Sequence, residues 1–150
     1  MTGNGECDEL DSRILRELQE NSRQSARALA EKLGVAVGTV QNRIQKLEQN
    51  KIITGYHCHL DYGKLGYNVV AIIGIKARRE KLAELEKALE SKKEVYALME
   101  VTGTFDIMIA VIFKSISGLN KFIKDLPADS IKETQTFLVL KSLKEGHYRV

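Results

Sequence analysis

The chain predicts an α+β fold in two parts, three helices followed by a βαββαβ unit. Three observations lead there. Up to about residue 50, apolar residues recur at helical spacing; after that, the apolar period shortens to two; and the two glycines of "LDYGKLGYN", 60–68, punctuate the change. With 150 residues, the chain is long enough for two small domains, each burying a core of its own. The expected boundary falls after residue 62, giving an N-terminal domain at 1–62 that includes a linking strand and a C-terminal domain at 63–150.

In the first helix Leu10, Ile14, Leu15 and Leu18 line one side, and Asp8 or Asp11 can cap its start. Ser25 can cap a second helix whose apolar side is Leu29, Ala30 and Leu33. Gly34 then stands where a helix commonly ends in a left-handed conformation. A third helix turns Val40, Ile44 and Leu47 inward and ends near Asn50. "IITGYHCHLD", 52–61, alternates like a strand, with Ile52, Thr54, Tyr56, Cys58 and Leu60 on one face. The second part predicts a strand over 68–77, a helix over 80–91 and a strand over 95–102. A turn at Gly103 and Thr104 leads to a strand over 105–113, a helix over 117–126 and a last strand over 131–143. That order is the ferredoxin-like plan, whose helices cover one face of the sheet. The other face carries alternate residues of apolar strands such as "DIMIAVIF", and a second copy is the simplest cover for it.

Two helices joined through "LGV", the second amphipathic, fit a helix-turn-helix, whose second helix enters the DNA major groove. With Val40, Ile44 and Leu47 inward, Thr39, Gln41, Asn42, Arg43, Gln45 and Lys46 are left outside. Asn and Gln pair with adenine, Arg with guanine and Lys with phosphate, so the candidate DNA-binding residues are Thr39, Gln41, Asn42, Arg43 and Lys46. A polar face is also what any soluble helix has.

The stretch from Leu10 to Tyr56 decides between these readings. With Leu10-Asp11, Leu18-Gln19, Arg23 and Ser25, Leu29-Ala30, Thr39-Val40, Arg43-Ile44, Leu47-Glu48, Ile52-Ile53 and Gly55-Tyr56, it resembles the N-terminal, winged-helix-like domain of the Lrp/AsnC transcription regulators. "VTGTFD", 101–106, is similar to the Gly-x-aromatic-Asp signature of that family's effector domain. The resemblance implies a sequence-specific regulator that binds double-stranded DNA as a homodimer or higher oligomer and takes an amino acid near this turn, at a contact between subunits. Gly103 and Thr104 in the turn, Asp106 as partner for an ammonium group, and Thr134 and Thr136 as a wall are then the candidate effector-binding residues. The plainer alternative is a hairpin turn that Asp106 caps. One position departs from the family: Ser, often followed by Pro, usually opens the recognition helix, and here Ala36 and Val37 stand there. Alanine cannot cap, so Gly38 or Thr39 is the expected substitute, starting the helix a residue or two later.

Net charge is +3, but residues 1–60 hold eight basic and eight acidic side chains, so bulk charge gives no argument for nucleic acid. No apolar run is long enough to span a bilayer and the N-terminus is not signal-like, which places the chain in the cytoplasm, with Cys7 and Cys58 reduced. "HCH", 57–59, is a weak metal motif: on a strand Cys58 points away from His57 and His59, and His147 is the only other histidine. "KARR", 76–79, and Lys92-Lys93 read as solvated helix ends. No cofactor is expected. A related branch of this architecture decarboxylates sirohaem with histidine and arginine in the second domain, whereas residues 63–146 here have no histidine and arginine only at Arg78 and Arg79. The other rival is a partner subunit that forms mixed oligomers without binding DNA.

Overall fold

A computed structural model describes residues 7–143 of the chain. The chain divides into two compact units, the first reaching His59 and the second beginning at Leu60.

The first unit packs α1 (Glu9–Glu20), α2 (Ala26–Leu33) and α3 (Val37–Gln49). Asp8 and Asp11 open α1 together. The Asp8 carboxylate accepts the Asp11 N–H at 2.8 Å while the Asp11 carboxylate accepts the Asp8 N–H at 3.2 Å, a reciprocal box that satisfies two donors the helix itself leaves free. Ser25 caps α2 through the N–H of Ala28 at 3.2 Å, and α2 stops at Gly34 with φ of 69°. Ile14, Leu29 and Val40 are fully buried at the centre, and Leu18, Val35 and Ile44 pack around them.

Two expectations fail in this unit. Ala36 is itself the N-terminal cap residue of α3, at φ −70° and ψ 146° with no side-chain bond, so the helix does not start late. The reason is that the cap position is set by backbone: the Ala36 carbonyl accepts the N–H groups of Thr39 at 3.0 Å and Val40 at 3.3 Å, and only the side-chain acceptor is missing. The expected strand over 52–61 is absent. Lys51 at φ 57° turns the chain, the N–H groups of Ile52 and Ile53 close onto the Leu47 carbonyl, and the following residues to 61 are irregular and mostly exposed. A strand exists only by pairing, and no strand among the described residues pairs with this segment.

The second unit follows the βαββαβ order: β1 (Val69–Ala77), a short 3-10 turn (Arg79–Lys81), α4 (Leu82–Glu90), β2 (Val95–Glu100), β3 (Ile107–Phe113), α5 (Ile116–Lys124) and β4 (Ile131–Leu138). The antiparallel sheet runs β2-β3-β1-β4, with Ile73 of β1 opposite Ile109 on one side and Thr136 on the other. Alternation does the sorting. Ala71, Ile73 and Ile75 of β1 and Ile107, Ile109 and Val111 of β3 are buried beneath Leu85 and Leu89 of α4 and Leu119 and Phe122 of α5. The opposite face presents Ile72, Met99 and Phe137, each exposed by a third to a half. The last strand ends at Leu138, five residues short of the expected 143.

Candidate functional site

The 3.6-residue period of α3, phased on buried Val40 and Leu47 and on Ile44, puts Asn42, Gln45, Lys46 and Gln49 on the side away from the core. Thr39 and Gln41 sit on opposite flanks of that face. Thr39, Gln41, Asn42 and Lys46 are all exposed, and their side chains make no hydrogen bond or ion pair among the described residues. Gln49 belongs to the same face and is missing from the sequence-based set, although the same helical phase would have found it.

Arg43 does not join them. It lies on the flank that meets α1, where its guanidinium pairs with the Asp8 carboxylate and sits 3.2 Å from both oxygens of Asp11. Asp11 is almost wholly buried and Arg43 is half-buried. Asp8 first, then the Asp11 charge, holds the guanidinium above the usual arginine value. The Asp8 carboxyl is held below its ordinary value, by the Asp11 N–H first and by Arg43 next. Arg43 therefore sits on the flank of α3 with Nη1 engaged by the start of α1.

At the other end of α3, the Tyr56 hydroxyl donates to Glu48 at 2.8 Å and fixes the chain that leaves the helix. Partial burial, then this bond to a carboxylate, pushes the phenol up to about 12. His57, Cys58 and His59 are exposed and irregular; His147 lies outside the described residues.

The loop 101–106 joins β2 to β3. The Val101 N–H donates to the Asp106 carbonyl and the Asp106 N–H to the Ile75 carbonyl, each at 3.0 Å, while the Asp106 carboxylate accepts the N–H of Ala77 at 2.8 Å. One carboxylate oxygen is thus spent on the end of β1 and not on a cap of its own turn. Phe105 lays its ring on Gly74, where an added Cβ would come within 2.6 Å of it. Gly103 has φ of 119° with open space around it, and Thr104 beside it is exposed. The aromatic and aspartate of the sequence signature therefore hold the loop to β1 and leave its tip free. Thr134 and Thr136 are not gathered with it: they lie on β4, opposite Ile75 and Ile73, with β1 between them and β3. Beside the loop, α4 and the β2–β3 side form a concavity of about 400 Å³ with Leu98 and Ile107 as floor and Glu86, Glu90, Glu100 and Lys87 around it.

Comparison with known proteins covers both units. Residues 8–48 match the AsnC-type helix-turn-helix domain and residues 70–148 the Lrp/AsnC ligand binding domain. Among the most similar relatives, an uncharacterized HTH-type transcriptional regulator of Pyrococcus furiosus is 45% identical over 141 residues, spanning 93% of this chain and 95% of that protein. The HTH-type transcriptional regulator Ptr1 of Methanocaldococcus jannaschii is 36% identical over the same shares. Among solved structures, Escherichia coli AsnC superposes with a TM-score of 0.89 at 32% identity, over 95% of this chain and 98% of that one. A transcriptional regulator of Neisseria meningitidis in complex with L-methionine superposes with a TM-score of 0.86 at 26% identity, over 93% of each chain.

Proposed function

We propose, from the premise that this chain belongs to the Lrp/AsnC family of transcriptional regulators, that it binds specific DNA sites as a homo-oligomer and changes that binding in response to an amino acid. The observation that carries the first half is the outer face of α3. Thr39, Gln41, Asn42 and Lys46 have no side-chain partner among the described residues and stand on a helix whose other side is anchored by Val40 and Leu47, so reading a groove breaks no bond seen there. Residues 1–62 supply this reading unit and residues 63–150 the assembly and effector unit. A single helix reads only a few base pairs, so two copies related by a two-fold axis are needed for a useful site. The helix-free sheet face, with Ile72, Met99 and Phe137 exposed, supports closure by a second copy.

The effector reading rests on the 101–106 loop. Gly103 and Thr104 lie open at its tip, and the second oxygen of Asp106, without a partner among the described residues, is the group for an ammonium. Backbone N–H groups of the same loop can take a carboxylate, and an α-amino acid offers both charges at that spacing. The methionine complex of the Neisseria meningitidis relative supports this ligand class. Thr134 and Thr136 belong to the site only where a second subunit brings another loop to their edge.

Gel-shift titration of the purified chain on DNA from upstream of its own gene, against random-sequence competitor, in a salt series and with each amino acid in turn, tests both halves. The expected result is site-selective binding that weakens with salt and shifts with one amino-acid class. Binding that random competitor removes equally well would overturn the first half, and twenty superimposable curves would overturn the second.

A further inference from the structure

We propose that Arg43 is a positioning residue, which clamps the recognition helix to the start of α1 through Asp8 and Asp11 and does not itself contact bases. The proposal rests on the DNA-binding reading above for its effect on recognition, while the clamp itself stands on geometry alone.

Nη1 of the guanidinium faces three carboxylate oxygens at once, one of Asp8 and both of Asp11. The Asp11 side chain is only 6% exposed. A carboxylate so buried requires an opposite charge or a full set of donors, and among the described residues its one other bond is with the Asp8 N–H. Bidentate recognition of a guanine needs the fork of the guanidinium turned outward. Turning it would strip Asp11 of its cation and leave a buried, unpaired charge, which is strongly unfavourable. The same two carboxylates form the capping box of α1, so the bonds of Arg43 also hold the first turn of that helix in place. Farther along α1, Ile14 packs with Leu47 of α3, and Arg13 reaches the Leu33 carbonyl of α2 at 3.4 Å. The clamp is the polar end of an α1–α3 contact whose apolar end is the core. Charge argues the same way: two carboxylates around one guanidinium leave this corner net negative, which turns phosphates away from it and toward Lys46.

If Arg43 acts through α1, its removal and removal of the Asp11 charge must be coupled, the double variant costing less than the sum of the single ones. The test uses the full-length chain with Arg43→Ala, Asp11→Asn, the double variant, and Arg43→Lys, which keeps the charge and part of the bonding. Urea midpoints without DNA give a double-mutant cycle. Selection from a random double-stranded pool gives the preferred sequence of each variant, and titration gives its affinity. The expected result is a non-additive cycle, one unchanged consensus sequence, and about a tenfold loss of affinity shared by both single variants and partly restored by lysine. An additive cycle overturns the clamp. An altered consensus for Arg43→Ala, with Asp11→Asn silent, makes Arg43 a base reader and overturns its positioning role. Should the unaltered chain select no sequence, the DNA-binding reading fails, and the cycle still decides the clamp by itself.

Discussion

Replacing Ala36 by serine should stabilise the first unit. Ala36 already has the extended backbone of a helix cap, at φ −70° and ψ 146°, is exposed, and lacks only an acceptor for the N–H groups of the first turn. Two other helices of the chain show what a serine does in that place. Ser25 and Ser115 each accept the N–H three residues on, from Ala28 and Gly118, at 3.2 Å. In α3 the corresponding donor is Thr39, whose N–H now reaches only the Ala36 carbonyl at 3.0 Å. Adding the hydroxyl at an exposed site brings no burial cost, so the gain is the ordinary cap value of about 1 kcal/mol. That is roughly a fivefold change in the ratio of folded to unfolded unit. Urea denaturation followed by far-ultraviolet circular dichroism reads the shift, and hydrogen exchange reads it locally as slower exchange of Gly38 and Thr39. Val37→Ser places the same hydroxyl one residue later, where it cannot cap, and should give no gain. Equal midpoints for Ala36→Ser and the unaltered chain, or equal gains for the two serine variants, would mean that the missing cap acceptor costs α3 nothing.

Three further outcomes are expected. Tyr56 should titrate at about 12, above the ordinary 10.0, when phenolate absorbance is followed with Tyr56→Phe as the reference. Because its folded value is raised, the neutral phenol stabilises the fold fully below pH 10 and loses that contribution as pH climbs toward 12, a fall that Tyr56→Phe should lack. Gly74→Ala places a methyl 2.6 to 2.8 Å from three atoms of the Phe105 ring; displacing the ring should cost about 1 to 3 kcal/mol in denaturation, and Phe105→Leu in the same chain should recover part of it. Phe137→Asp, at a position 46% exposed on the helix-free sheet face, should leave each unit folded by circular dichroism and reduce the sedimentation mass; an unchanged mass would mean that this face is not the one a second copy covers.

The parts of the fold that a local pattern encodes were legible. Val40, Ile44 and Leu47 recur at one helical phase and do face the core, Gly34 does end α2 in a left-handed conformation, and alternate residues of β1 do divide between its two faces. What escaped depends on partners distant in the chain. Residues 52–61 alternate well enough for a strand, but alternation cannot supply the neighbour that a strand pairs with. Arg43 has the chemistry of a base reader, and its direction is decided by Asp8 and Asp11, which lie 35 and 32 residues earlier. Sequence alone names Asp8 and Asp11 as caps of their own helix and gives no sign of what crosses to them. Asp106 was legible as a carboxylate beside an apolar strand in need of a partner, but that partner, the Ala77 N–H, follows from the register of β3 on β1. Thr134 and Thr136 look close to the loop until the strand order puts β1 between.

Selection from a random double-stranded pool by the full-length chain shows whether α3 reads DNA through its outer face. The expected result is enrichment of a two-fold symmetric sequence, with half-sites a whole number of helical turns of about 10 base pairs apart. Asn42→Ala should relax one position of each half-site, while Lys46→Ala weakens all sites alike and lowers the salt dependence. A pool that emerges without a preferred sequence, or a preference that both substitutions leave untouched, would mean that this face of α3 does not read DNA.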